Sequence, residues 1–277
     1  MALFARSPGK RPCLFVRSLA RLLVSVVSSP RISKLTTLDL SGNKLKTLDP
    51  KLAKLKVLKS LKADRNKIAP GGLAVVSSLP KLKTLSASGN QLGRPVGAGP
   101  AAAAAGSAPA PPALPANLPK GLKTILLAGN SLSSVPRSIL ESNLRLLEKL
   151  DLSSNNLATV PEGIAGLSGL AELNLDDNVI VGLPRAIGKL TKLKVLSLRR
   201  NHLSMGNRRN RDDPQPLPEE LWRDTLLIDL NLHGNPMTTT QLNTMDGYDV
   251  FLSRRREVKN KDILGGAMTD LEGCGLE

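Results

Sequence analysis

The sequence is poor in the side chains that build disulfide frameworks, metal sites and aromatic stacking surfaces. Its 277 residues include two cysteines, two histidines, three phenylalanines, one tryptophan and one tyrosine. Cys13 and Cys274 lie near opposite ends, which excludes a disulfide framework and a zinc site of the paired-cysteine kind. Because no aromatic residue occurs between Phe15 and Trp222, the sequence also argues against proteins that stack nucleic-acid bases on aromatic rings.

Long apolar runs and catalytic motifs are missing as well. The longest apolar run, Leu14 to Val27, is interrupted by Arg17 and Arg21 and falls short of the ~20 residues that span a bilayer. Phosphate-binding loops, nucleophile elbows, His-Glu-x-x-His motifs and paired metal-ligand spacings do not occur. We therefore expect no enzymatic activity, no catalytic residue, no metal site and no cofactor.

Leucine is abundant, and it recurs in a fixed pattern. The chain has 53 leucines, about 19% of its residues. The pattern Leu-x-x-Leu-x-Leu-x-x-Asn-x-Leu, with a few aliphatic replacements, occurs eight times, and we number these copies coils 1 to 8. They begin at Leu35, Leu58, Leu82, Leu122, Leu147, Leu170, Leu193 and Leu227. The asparagine of each copy is Asn43, Asn66, Asn90, Asn130, Asn155, Asn178, Asn201 and Asn235.

The repeat predicts an α/β solenoid. Leu-x-Leu alternation indicates a short strand with its leucines on one side, and stacking of the copies would pair the strands in one parallel sheet of about eight coils. The asparagine amide is suited to satisfy backbone groups that the turn after each strand leaves unpaired. On the return side, proline followed by inward-facing Ile and Leu indicates short helical, 3₁₀ or extended segments.

The eight copies resemble the intracellular, 23-residue type of leucine-rich-repeat protein, over about residues 30–240. The resemblance implies a horseshoe with a concave sheet, an intracellular, cytoplasmic location, a protein partner and no known catalysis. The segment Asp246-Gly-Tyr-Asp-Val-Phe-Leu-Ser-Arg254 further resembles the C-terminal helix that closes the solenoid in a small, free-standing member of this family.

Five further parts are predicted around and between the repeats. They are a basic N-terminal segment at 1–30, an Ala/Pro-rich insertion at 93–119 and a loop insertion at 204–216 within the repeat domain 31–240, and a disordered tail at 262–277 after a capping helix at 241–261. The N-terminal segment is acid-free and serine-containing, which is typical of a transit peptide for a plastid or mitochondrion but also compatible with a cap on coil 1. In the capping helix, we expect Tyr248 and Phe251 to face coil 8, with Arg254 to Arg256 on the opposite face.

The polar residues beside the strand leucines are the candidate binding surface. We expect coils 5 to 8 to bind a protein through Asp151, Glu172, Asn174, Asp176, Arg199, Asn231 and His233. Asp151, Asp176 and Arg199 form the predicted centre of this contact. The alternative is that these charges are solvated and bind nothing. We expect the protein to be a monomer.

A second hypothesis comes from charge. The formal net charge is +16, and residues 1–100 hold 19 Lys/Arg against 3 Asp/Glu, so the whole excess lies in this part of the chain. The candidate anion-binding residues are Lys59, Lys62, Arg65 and Lys83. They suggest an electrostatic binder of RNA or an anionic membrane surface, although the lack of aromatics disfavours nucleic acid. A solvated basic rim is the other interpretation.

Overall fold

The computed structural model describes residues 13–15, 34–94, 112–205 and 215–264. The rest of the predicted N-terminal segment, the middle of both insertions (95–111 and 206–214) and the tail from 265 onward lie outside the described residues.

Within these described ranges, nine short strands form one parallel sheet in chain order. They are β1 (Cys13–Phe15), β2 (Thr37–Asp39), β3 (Ser60–Lys62), β4 (Thr84–Ser86), β5 (Thr124–Leu126), β6 (Lys149–Asp151), β7 (Glu172–Asn174), β8 (Val195–Ser197) and β9 (Asp229–Asn231). Strands β2 to β9 belong to coils 1 to 8, and at ~4.8 Å per strand they make a sheet about 34 Å long. The predicted solenoid with a parallel sheet is confirmed.

The sheet has one strand more than the repeat pattern predicts. β1 pairs in parallel with β2, with Leu14 opposite Leu38. It lies in the N-terminal segment, where no copy of the repeat is recognisable. The choice between cap and presequence for the whole segment stays a prediction.

The core is a continuous wall of aliphatic side chains. The central residue of every strand from β2 to β9 is buried and faces its counterpart in the next strand, as Leu150 does between Ile125 and Leu173. The residue that follows each of these strands is buried too; it is a leucine in six coils and Ala63 or Ala87 in coils 2 and 3. Period-two alternation therefore places the leucines inside and the residues between them on the concave surface.

The return segments contain short helices. Four are 3₁₀ helices, at Pro50–Lys54, Ala74–Ser78, Glu162–Gly166 and Arg185–Lys189. The described residues also form four α-helices. Of these, α1 (Arg137–Glu141), α2 (Glu219–Arg223) and α3 (Thr239–Asn243) have five residues each, and α4 (Tyr248–Leu264) has 17 and follows the last coil. A proline stands immediately before α1, α2 and the third and fourth 3₁₀ helices, where its fixed φ directs the chain into the turn.

The repeat asparagines form a hydrogen-bonded ladder along the solenoid. Asn155 is typical: its Nδ2 donates to Leu152 O of its own coil (2.8 Å) and to Leu127 O of the preceding coil (3.1 Å). Its Oδ1 accepts from Leu132 N (3.0 Å). In coils 2 to 8, each ladder asparagine therefore pairs backbone groups of two coils at once.

Two helices close the C-terminal end. Tyr248 and Phe251 of α4 are buried against Trp222 of α2, with ring centroids 5.2 and 5.7 Å from the indole. Arg254 lies on this same inner side, since its guanidinium donates to Trp222 O and Leu227 O, both at 3.1 Å. The expectation that Arg254 lies on the opposite face is wrong, because a residue three positions after Phe251 shares its helix face. α4 also continues to Leu264, beyond the predicted end at 261.

Candidate protein-binding face

The side chains between the buried leucines form straight columns across the concave sheet. The last residue of each strand is in register with that of the next, from Asp39 to Asn231. Neighbours in a column are about 4.8 Å apart. A ligand that lies along the solenoid axis would therefore contact one side chain from each successive coil.

Asp176 is held in place by the next coil. Its Oδ1 accepts hydrogen bonds from Ser197 Oγ (2.6 Å) and from the backbone N–H of Arg199 (2.7 Å). Asp64 makes the same pair of bonds at the equivalent position of coil 2, four coils earlier, to Ser86 Oγ (2.6 Å) and Ser88 N (2.7 Å). Because these bonds are charge-assisted and cross between coils, they fix the carboxylate on the concave surface and couple the coils.

Three other predicted residues are held by local turns. Asp151 Oδ1 accepts from Ser153 N and Ser153 Oγ at 3.0 and 2.7 Å. In the same way Asn174 Oδ1 accepts from Asp176 N at 3.0 Å, and Asn231 Oδ1 accepts from His233 N at 3.2 Å. Such side chain to backbone bonds two residues along the chain are typical of Asx turns. They give the concave surface fixed acceptors rather than freely rotating ones.

Arg199 has a donor that is not satisfied within the described part of the chain. The side chain is half-buried, and its Nε is buried without a hydrogen-bond partner among the described residues. A buried, unpaired donor on a charged group costs free energy until an acceptor reaches it. A carboxylate or a carbonyl oxygen of a bound molecule would serve as that acceptor.

Ion pairs between coils neutralise part of this face. Lys149 pairs with Glu172, and Lys123 pairs with Glu148. Beside them Arg200 Nε lies 3.2 Å from Asp177 Oδ1. The structure thus brings Asp151, Glu172, Asn174, Asp176 and Arg199 together on adjacent strands and the loops behind them. Asn231 and exposed His233 continue the same columns at the C-terminal end.

The four predicted anion-binding residues lie apart from these, in coils 2 and 3. Lys62, Arg65 and Lys83 are exposed, and Lys59 is half-buried. Lys59 and Lys83 stand in one column, directly before β3 and β4. Across the ranges that the structure describes, no carboxylate lies within 4.0 Å of any of the four basic groups.

The leucine pattern did not predict one conformational feature of this face. The residue before every ladder asparagine has a positive φ, between 49° and 77°. Four of them are glycines and four are Arg65, Ser154, Asp177 and Arg200. The signal was present, since glycine occupies this position in coils 1, 3, 4 and 8, but four non-glycine residues obscured it.

The convex surface was compared with the concave face for possible binding sites. A cleft of about 350 Å³ lies on the convex side, between Leu92, Pro112, Leu132 and α1, away from the concave columns. Among the residues that the structure describes, no cluster of His, Cys, Asp and Glu could hold a metal ion. Within the same ranges, no helix is both long and apolar enough to cross a membrane.

The single sheet with its polar columns places the protein in the class of solenoid repeat proteins. Proteins of this class carry an extended binding surface on their concave face. The family model described as "Leucine rich repeat" matches residues 33–92, 120–180 and 145–203. The chain belongs to the leucine-rich-repeat family.

Comparison with known proteins agrees with this assignment. The chain is 34% identical to mouse podocan-like protein 1 over 192 residues, which is 68% of this chain and 29% of that protein. It is 30% identical to chicken keratocan over 156 residues, 54% of this chain and 38% of that one. It thus spans about a third of the length of these relatives. Among solved structures, the plant peptide hormone receptor RGFR1 in complex with RGF2 has a TM-score of 0.50 at 26% identity, covering 78% of this chain and 30% of the receptor chain.

Proposed function

We propose that this chain is a non-enzymatic scaffold or adaptor that binds a protein partner through the concave face of coils 5 to 8. The carrying observation is that the Nε of Arg199 is buried and has no partner among the described residues, while the backbone N–H of Arg199 binds the fixed carboxylate of Asp176. An unsatisfied donor among rigid acceptors favours a ligand that offers both acceptors and donors, as a polypeptide does. The comparison with RGFR1, whose structure is that of a receptor with a bound RGF2, supports a polypeptide ligand.

The test is affinity capture with a variant that removes charge from the face but keeps its internal hydrogen bonds. In Asp151→Asn, Asp176→Asn and Arg199→Gln combined, both asparagines keep an Oδ1 acceptor, so the coils stay coupled. The matched control is Glu141→Gln, Glu162→Gln and Lys189→Gln, which makes the same charge change at exposed positions of the convex helices.

We expect the concave variant to lose the partners that the unmodified protein and the convex control both retain, with unchanged thermal unfolding. If the concave variant keeps every partner that the control keeps, the proposed face is not the binding surface. Size-exclusion chromatography with light scattering of the same samples checks the proposed monomer.

We also propose an intracellular, cytoplasmic location, with a plastid or mitochondrion as the alternative if residues 1–30 are a transit peptide. The support is the resemblance of the segment from Asp246 to Arg254 to the C-terminal end of leucine-rich repeat-containing protein 57. Sequencing of the mature N-terminus, together with imaging of a C-terminal tag, separates the compartments. An intact N-terminus in the cytoplasm is expected, and a cleaved one in an organelle would overturn the proposal.

A further inference from the structure

Positive charge in the first three coils is left without compensation. Residues 34–94 contain 13 Lys/Arg and three Asp/Glu. All three carboxylates already accept hydrogen bonds inside the fold. Asp39 accepts from Ser41 N (2.9 Å), Asp49 accepts from Lys51 N (2.8 Å), and Asp64 bonds to coil 3 as described above.

The contrast with the next coils lies in the same column. Lys59, Lys83 and Lys123 each precede a strand in consecutive coils, yet only Lys123 has a carboxylate partner, Glu148. Lys59 and Lys83 extend from neighbouring strands about 5 Å apart, so their like charges repel one another, and a bound anion would relieve that repulsion. Lys62 and Arg65 extend the charge across the concave surface. We call Lys59, Lys62, Arg65 and Lys83 the basic concave patch.

The chemistry of the patch distinguishes among polyanions. It has no aromatic side chain on which bases could stack, and residues 34–94 contain only two arginines to grip phosphate in bidentate fashion. The patch also lies inside the curve of the solenoid, where a flat bilayer does not reach but a polypeptide does. We propose that the basic concave patch binds an acidic protein segment, a run of Asp and Glu side chains that enters the concavity over coils 2 and 3.

This inference goes beyond the proposed function, because it uses other residues and another partner chemistry. The probe is a fluorescent peptide of alternating glutamate and serine, titrated with the full chain at low and moderate salt. The test variant is Lys59→Glu, Lys62→Glu and Lys83→Glu. The matched control, Lys189→Glu, Lys192→Glu and Lys194→Glu, makes the same charge change at exposed lysines of coils 6 and 7, with Lys194 in the same column as Lys59.

We expect the test variant to bind the peptide about tenfold or more weakly than the control. Moderate salt should lower the affinity of the unmodified protein for the peptide, so that it approaches the affinity of the test variant. The neutral variant with glutamine at the three patch positions should fall between them, and it keeps the test valid if charge reversal unfolds coil 2. Equal affinity of the test and control variants for the peptide would show that the basic concave patch is not its binding site.

Two further probes test the choice of partner. An oligouridylate with the same number of charges, and vesicles of equal parts phosphatidylcholine and phosphatidylserine, should bind more weakly than the peptide. Tighter binding of either, lost in the test variant, would replace the acidic protein segment with that ligand. The variant of Asp151, Asp176 and Arg199 should still bind the peptide, so failure of the proposed function and failure of this inference give different results.

Discussion

At the scale of single residues, the most informative feature is the left-handed backbone before each ladder asparagine. An L-residue with a side chain pays roughly 1–2 kcal/mol for this conformation, and glycine does not. Arg65, Ser154, Asp177 and Arg200 therefore hold strain that Gly42, Gly89, Gly129 and Gly234 avoid. The strain persists because the following asparagine and the strand pairing fix the backbone from both sides.

Exchanging residue types at this position should change stability in opposite directions. Ser154→Gly should raise the free energy of unfolding by roughly 0.5–1 kcal/mol, because relief of strain exceeds the entropy cost of glycine. Gly129→Ala should lower it by about 1 kcal/mol from backbone strain alone, since the added Cβ would meet nothing closer than 3.7 Å. Urea denaturation measures both, and a loss of stability in Ser154→Gly would contradict the account.

At the scale of elements, the C-terminal cap shows what helical spacing does and does not determine. The three-residue spacing of Tyr248 and Phe251 was enough to predict a common buried face. It did not identify Trp222 as their partner, because α2 and α4 themselves carry no repeat spacing that relates one helix to the other across coil 8. Arg254 was misplaced since its charge suggested solvent, whereas two backbone carbonyls at the end of α2 and before β9 accept its hydrogen bonds.

The inward position of Arg254 predicts different effects for neighbouring arginines. Arg254→Ala should lower the free energy of unfolding by about 1.5–3 kcal/mol, because it removes charge-assisted hydrogen bonds to two carbonyls. Arg256→Ala, at an exposed position of the same helix, should change it by less than about 0.5 kcal/mol. Thermal and urea unfolding of the two variants side by side make the comparison. Equal effects would mean that the Arg254 bonds do not stabilise the cap.

At the scale of the whole molecule, the periodicity of the sequence predicted the structural elements that repeat but not those that occur once. Strands β2 to β9 follow from the leucine pattern. β1 does not, because Cys13-Leu-Phe15 has neither the repeat asparagine nor the flanking leucines. The polar columns were predictable from register, but the bonds from Asp176 to Ser197 and Arg199 were not, since they depend on the distance between coils rather than on the pattern within one.

The ladder spans the whole solenoid, so the cost of breaking it should depend on position. Asn155→Ala would leave Asn130 N and Leu132 N, both buried, without their acceptor and should cost at least about 3 kcal/mol. Asn43→Ala, in coil 1, should cost about 1 kcal/mol, because Asn43 is half-buried, so that water can replace its Nδ2 at Leu40 O and Ser41 O. Urea denaturation of both variants provides the test, and equal losses would show that burial of the paired backbone groups does not set the cost.

The hydrogen bonds of the ladder form even where the chain between neighbouring asparagines is much longer than one repeat. Asn90 and Asn130 are 40 positions apart, yet Asn130 Nδ2 still donates to Ala87 O at 2.9 Å, as its counterparts do across 23 positions. Asn235 reaches Leu198 O at 2.7 Å across a similarly lengthened return. The outer side of the horseshoe therefore tolerates insertions. An epitope, a protease recognition sequence or a whole guest domain inserted there should leave the inner sheet in register, so this architecture can acquire new attachments by lengthening alone.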